Sequence, residues 1–275
     1  MLFRSGLKPE QCEFQEDALR RVISDYTHEA GVRELERQIG AVCRGIAAQV
    51  ARGKIDHATV TPQTVSEMLG PAKYVRETKL KSSKPGVVTG LAYTPAGGEI
   101  LHIEATRYPG KGNITLTGQI GNVMKESVQA ALSLLRSRDG QLGVKAEDFR
   151  KMDVHVHVPA GAVPKDGPSA GIAMFTALAS LFTNRPVRSD VAMTGEITLR
   201  GLILPIGGLK EKSLAAMRAG ISTVIIPKLN EKDLPDVPEE AKQKLKFVPV
   251  ENVDEVLAIA LEKNGATPAS KKKRS

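Results

Sequence analysis

The chain has 275 residues, of which 41% are apolar and 25% charged, the balance of a folded globular protein and not of a disordered, collagen-like or membrane-embedded one. It carries no Trp, 6 Phe and 4 Tyr, so its cores must be aliphatic. The formal charge of +8 sits mainly in two stretches, Arg76 to Lys84 and Lys271 to Arg274, which argues for solvated basic segments over a basic folded face. No apolar run approaches the roughly 20 residues of a membrane span, and the N-terminus does not read as a leader. A cytoplasmic location with no membrane partner is the expectation. Cys12 and Cys43 lack metal-ligand or CxxC spacing and are expected to be reduced, buried thiols.

Residues 10–53 read as helical. Leu35, Ile39, Val42, Ile46 and Val50 recur at steps of four and three along one helical face, and Gly53 stands where a helix would stop. Ala58-Thr59-Val60 reads as a brief strand, and Thr61-Pro62 as the cap and first turn of a short helix ending at Gly70. Residues 1–72 thus form a small α-helical domain, and 73–84, polar and basic before Pro85-Gly86, form a linker. Extended segments come next at Val87–Tyr93, Glu99–Thr106 and Asn113–Thr117, then an amphipathic helix from Ile120 to Arg138. Val154, Val156 and Val158 alternate with His155 and His157 as in a half-buried strand. Helices are expected at Ala170–Phe182, Leu209–Ala219 and Val253–Glu262, with strands at Val191–Thr194 and Ser222–Ile226. The fold class is α+β: an all-α domain, then a mixed α/β domain over 85–262 and a basic tail over 263–275.

Chemistry concentrates at Pro164-Lys165-Asp166-Gly167-Pro168-Ser169-Ala170-Gly171. Ser169 lies between glycines at the start of an apolar helix, where small neighbours admit a substrate backbone and the helix start favours a developing oxyanion. The bland alternative is a serine that merely caps the helix. GxSxG also suggests an α/β-hydrolase, but that triad needs its histidine after the serine, and His28, His57, His102, His155 and His157 all precede it. A lysine base is more economical, provided that it is neutral. Leu204-Pro205-Ile206-Gly207-Gly208-Leu209-Lys210-Glu211-Lys212 places two lysines near a helix start, where the dipole and burial both disfavour charge. Spacing alone does not choose between Lys210 and Lys212.

These segments resemble the Lon proteases of the A type: the stretch around Ser169, then Gly195-Glu196-Ile197-Thr198-Leu199-Arg200-Gly201, then Leu204 to Lys212. The resemblance covers residues 10–262. It implies a Ser169–Lys212 dyad that cleaves peptide bonds by acyl transfer, with an oxyanion held by the backbone of Gly167, Pro168 and Ser169. It implies supporting roles for Thr194, for Asp166 and for Glu104. His155 and His157 match the family's HVHVP strand, where a structural role outweighs chemistry, and no metal site is expected. Tyr26 to Glu36 resembles the sensor-2 segment of an AAA+ small domain, which implies that Arg33 reaches ATP bound elsewhere.

Full-length members of that family use ATP and Mg²⁺, form homohexameric rings and degrade unfolded or damaged proteins. Here no GxxxxGK[ST] occurs, since Gly53-Lys54 and Gly110-Lys111 are not followed by Ser or Thr. The chain therefore reads as a fragment that needs no cofactor of its own, hydrolyses no ATP and forms the ring only weakly. Two other readings stand beside the peptidase. One is a DNA-binding module using the basic segments, recognisable by steep salt dependence. The other is a regulatory module of the same fold, against which the presence of both Ser169 and Lys212 argues.

Overall fold

The four-and-three spacing from Leu35 to Val50 folds as a helix in the computed structural model of the protein, which describes residues 5–74, 78–80, 82–94, 96–138, 140–159 and 165–263. Pro164, Arg76, Lys81 and the tail beyond 263 lie outside those residues. The chain divides into two compact units, 1–77 and 78–275.

In the first unit, β1 (Cys12–Phe14) precedes α1 (Glu16–Tyr26) and α2 (Arg33–Ala51), followed by β2 (Ala58–Val60) and α3 (Pro62–Leu69). Residues 12–14, expected as helix, instead pair in parallel with β2; three residues are too few for periodicity to reveal a strand. Lacking a Ser or Thr cap, α2 starts on Glu29, whose carboxylate accepts the N–H groups of Glu34 and Leu35, each at 2.9 Å. Thr61 caps α3 as expected, taking the Thr64 N–H at 3.2 Å. Cys12 and Cys43, 31 positions apart in sequence, come together in this unit's core. Burial, with Cys43 beside it, pushes the Cys12 thiol up to about 11, and burial raises Cys43 too, so both stay protonated and inert.

The segment expected as a linker is tied down where it is described. Lys73 and Tyr74 donate to the Asp25 carbonyl, while Lys79 donates to the Ala219 carbonyl at 3.0 Å.

The second unit contains β3 (Val87–Thr94), β4 (Gly97–Pro109), β5 (Ile114–Thr117), α4 (Asn122–Ser137), α5 (Ala146–Lys151) and β6 (Met152–His157). It continues with α6 (Gly171–Thr183), β7 (Val191–Met193), the hairpin β8 (Glu196–Ile197) and β9 (Ile203–Leu204), and α7 (Leu209–Arg218). β10 (Thr223–Pro227), α8 (Glu239–Lys244), β11 (Lys246–Val250) and α9 (Val253–Ala260) complete it. Seven strands form one sheet in the order β11-β10-β7-β3-β4-β6-β5. The run from β11 to β3 is parallel, β3–β4 and β4–β6 are antiparallel, and β6–β5 is parallel.

Side chains alternate across this sheet into two cores. Val88, Leu101, Ile103, Met193 and Ile225 face one side with α4, α6 and α9. Leu91, Ile100, Ala192, Val224 and Ile226 face the other with α7. α6 is apolar all round and buried along almost its whole length, which is why its sequence carries no amphipathic stripe. α7 is amphipathic and buries Leu209, Lys212, Ser213, Ala215 and Ala216. The helix that begins beside Ser169 and the helix that carries Lys212 therefore lie on opposite faces of one sheet.

Candidate active site

Ser169 sits in the 3-10 turn Pro168–Ala170 that runs into α6, and is half-buried. Gly167 enters the turn at φ +121, a conformation closed to side chains with a Cβ. Two contacts fix the turn's height against β7. The Gly195 N–H donates to the Ser169 carbonyl at 2.8 Å, and the Ile172 N–H donates to the Gly195 carbonyl at 3.0 Å.

Thr194, the residue after β7, is fully buried. Its hydroxyl donates to the Ser169 carbonyl at 3.2 Å and accepts from Lys212 Nζ at 3.1 Å. One side chain thus links two elements that the sheet separates, and the amine lies within two hydrogen-bond lengths of the Ser169 backbone. Among the described residues the Ser169 hydroxyl itself makes no hydrogen bond and does not bond directly to Lys212.

The structure distinguishes the two lysines that spacing left equivalent. Lys210 is exposed, whereas Lys212 is 2% exposed. Desolvation by burial lowers the Lys212 amine from 10.5 to about 8. No carboxylate among the described residues pairs with it to reverse that shift. Gly208, in the left-handed region at φ 70, starts α7, and the Lys212 N–H donates to its carbonyl. Gly98 lets β4 meet this helix: a Cβ there would fall 1.9 Å from the Glu211 carbonyl oxygen and 2.9 Å from the Lys212 nitrogen.

Pro168 cannot serve as an oxyanion donor, because proline has no N–H. The Gly167 N–H is already taken by the carboxylate of Asp166 at 2.9 Å. That leaves the Ser169 N–H, which has no acceptor among the described residues.

Asp166 makes no hydrogen bond to the Ser169 hydroxyl. Its carboxylate accepts the Met124 N–H at 2.9 Å and so caps α4 from outside the helix. Glycine at 121 gives the carboxylate its room, since a Cβ there would lie 2.3 Å from the Asp166 Cγ. Backbone bonds extend the docking, with Gly121 donating to Lys165 at 2.7 Å and Lys165 to Gln119 at 3.2 Å. The loop that carries Ser169 is thereby anchored to the start of α4. Asp166→Ala is expected to destabilise the second unit by about 1–2 kcal/mol, measured by denaturant unfolding, through loss of a charged cap.

Glu104 is exposed on β4 opposite His157 and shares no hydrogen bond or ion pair with Ser169, Thr194 or Lys212. His155 and His157 both meet the Thr117 hydroxyl, at 2.8 and 2.7 Å, and so tie β6 to β5. Among the described residues no cluster of His, Cys, Asp and Glu could hold a metal, and no helix is long and apolar enough to cross a membrane. Arg33, in the first unit, is the first residue of α2 and exposed. With Arg37 and Arg44 it lines an open groove of about 590 Å³ that Glu29, Glu34 and Glu36 line as well.

Sequence reasoning missed two residues that shape the site. Neither Gly98, just before the strand expected at Glu99–Thr106, nor Asn230 stood out. Asn230 is 1% exposed, and its amide is bonded to the segment that precedes α7. A polar residue in a stretch of turn chemistry carries no sequence signal for such burial.

Comparison with known proteins fits this geometry. Residues 59–263 match the model of the Lon protease (S16) C-terminal proteolytic domain. Residues 4–59 match the Lon protease AAA+ ATPase lid domain. The chain is 56% identical over 265 residues to a Lon protease of Methylocella silvestris, covering 96% of this chain and 33% of that protein. It is 58% identical over 262 residues to one from Anaeromyxobacter dehalogenans, covering 94% and 31%. It is 54% identical over 257 residues to one from Syntrophus aciditrophicus, covering 94% and 32%. The chain thus spans about a third of the length of the curated relatives it matches.

Proposed function

Because the chain belongs to the Lon protease family, we propose that its second unit hydrolyses peptide bonds with Ser169 as nucleophile and neutral Lys212 as base. The observation that supports this most is the buried Lys212 amine, lowered to about 8 and hydrogen-bonded to the threonine that holds the Ser169 carbonyl. A neutral amine has two protons and one lone pair. One N–H serves Thr194, while the Thr194 proton goes to Ser169, so the lone pair stays available for the serine hydroxyl.

In the competent state the Ser169 Oγ adds to the substrate carbonyl carbon as its proton moves to Lys212 Nζ. The Ser169 N–H donates to the resulting oxyanion. The lysine ammonium then protonates the leaving amine as the C–N bond breaks, which restores the neutral base. Water, deprotonated by the same amine, releases the acyl group and regenerates the hydroxyl.

Bond cleavage by this route needs no cofactor. In the intact protein, ATP with Mg²⁺ would supply the work of unfolding substrates. Arg33 would reach that nucleotide, a role supported by the match of this unit to an AAA+ ATPase lid domain and not by the charge of its groove, where Glu29, Glu34 and Glu36 stand beside the three arginines. Unfolded or damaged proteins as substrates, a homohexameric ring and a cytoplasmic setting complete the proposal. The test is hydrolysis of a fluorogenic peptide by the 275-residue chain and by Ser169→Ala. Loss of turnover is expected with alanine, and equal rates in the two would remove the peptidase.

A further inference from the structure

We infer that Asn230 is a positioning residue for Lys212, a role that rests on the peptidase reading. Asn230 belongs to the 3-10 segment Lys228–Asp236 after β10. Its carboxamide meets both backbone groups of Ile206: the Ile206 N–H donates to Oδ1 at 2.9 Å, and Nδ2 donates to the Ile206 carbonyl at 2.8 Å. The second Nδ2 proton goes to Asp233 Oδ2 at 2.6 Å. That carboxylate can only accept, so it dictates which way round the amide sits and leaves Oδ1 for Ile206. The side chain supplies the pair of bonds that a neighbouring strand would otherwise supply.

Ile206 is worth pinning because the chain loosens directly beyond it. Gly207 and Gly208 are the next two positions, and glycine gives the backbone its greatest freedom. Gly208 then opens α7 and accepts the Lys212 N–H at 3.0 Å. The Lys212 amine must meet Thr194 on another element at 3.1 Å, so the start of α7 has to be fixed in space. Asn230 fixes the chain just before it, and the close contact at Gly98 fixes its first turn. Losing the amide leaves the Ile206 N–H and C=O without their partner. The glycine pair can then relax and carry the amine away from Thr194.

The test compares Asn230→Ala and Asp233→Ala with the parent chain by two readouts. The first needs no catalysis: competitive acetylation of amines with acetic anhydride, read by mass spectrometry, with exposed Lys210 as internal reference. Lys212 is expected to label several-fold more readily, relative to Lys210, in Asn230→Ala at about pH 11, where both amines are largely neutral and the ratio reports access alone. The second is peptide hydrolysis against pH. In Asn230→Ala, kcat is expected to fall about 10- to 100-fold at unchanged KM. Its pH inflection should move up from about 8 as the amine gains water. Asp233→Ala should shift both readouts the same way by less, and it decides the matter if Asn230→Ala does not fold. Parental labelling and inflection in the folded variants, or an effect confined to KM, would overturn the assignment. If hydrolysis survives Ser169→Ala, the peptidase reading falls while the labelling alone still decides the role of Asn230.

Discussion

Lys212→Met is expected to abolish peptide hydrolysis and at the same time to stabilise the second unit at pH 7. Removing the base should lower kcat by about 10³-fold or more, within the range that general bases contribute. The gain in stability comes from the same burial. An unfolded chain holds this proton up to about 10.5, whereas the native amine releases it at about 8. Below pH 8 both states are charged, and the native state bears the full desolvation cost, on the order of 3 kcal/mol. Between about 8 and 10.5 the unfolded state binds more protons, so stability rises with pH and the cost disappears. Methionine removes the cost at every pH but leaves the Thr194 oxygen without its donor, which subtracts about 1 kcal/mol. A net gain of about 2 kcal/mol at pH 7 that turns into a loss of about 1 kcal/mol above pH 10.5 is the result to seek by denaturant titration. In the parent chain, hydrolysis should climb with pH and level off above about 8. A flat profile from pH 6 to 9, or a variant less stable than the parent at pH 7, would contradict a buried, neutralised base.

Gly98→Ala should also cost the second unit its activity, by about 100-fold in kcat, without touching either reacting group. The added methyl would lie 1.9 Å from the Glu211 carbonyl oxygen, and backbone on both sides leaves nothing flexible to yield. Either α7 moves off β4 or the strand bends, and both displace Lys212 from Thr194. Peptide kinetics beside circular dichroism would separate this from unfolding. Near-parental activity in a folded variant would show that the helix start tolerates the shift.

Much of the fold was legible because long elements carry period. The stripe from Leu35 to Val50, the Thr61-Pro62 cap and the alternation at Val154–Val158 all fold as their patterns imply. What escaped was short or disguised. β8 and β9 have two residues each, too few to show alternation. β11 contains Pro249, which reads as a breaker, yet the strand lies at the sheet's edge, where a proline is tolerated. β1 was absorbed into its helical neighbourhood.

The site divides in the same way. Ser169 stands out because glycines frame it at a helix start. For the lysines the decisive variable is burial, which residue order does not encode, and only resemblance singled out Lys212 before coordinates did. Thr194 was named by resemblance too, and its two bonds give that choice a physical content. Asp166 proves to hold the loop against α4, and Glu104 stands apart on the surface of β4.

Ser169 precedes a helix packed in one hydrophobic layer and Lys212 lies on a helix packed in the other, and Thr194 bonds to both residues. Loosening either layer is therefore expected to part Ser169 from Lys212 while the opposite layer stays intact. Inactivation in mild denaturant should run ahead of the loss of helical signal, because catalysis reports on the seam between the layers and ellipticity reports on the layers themselves.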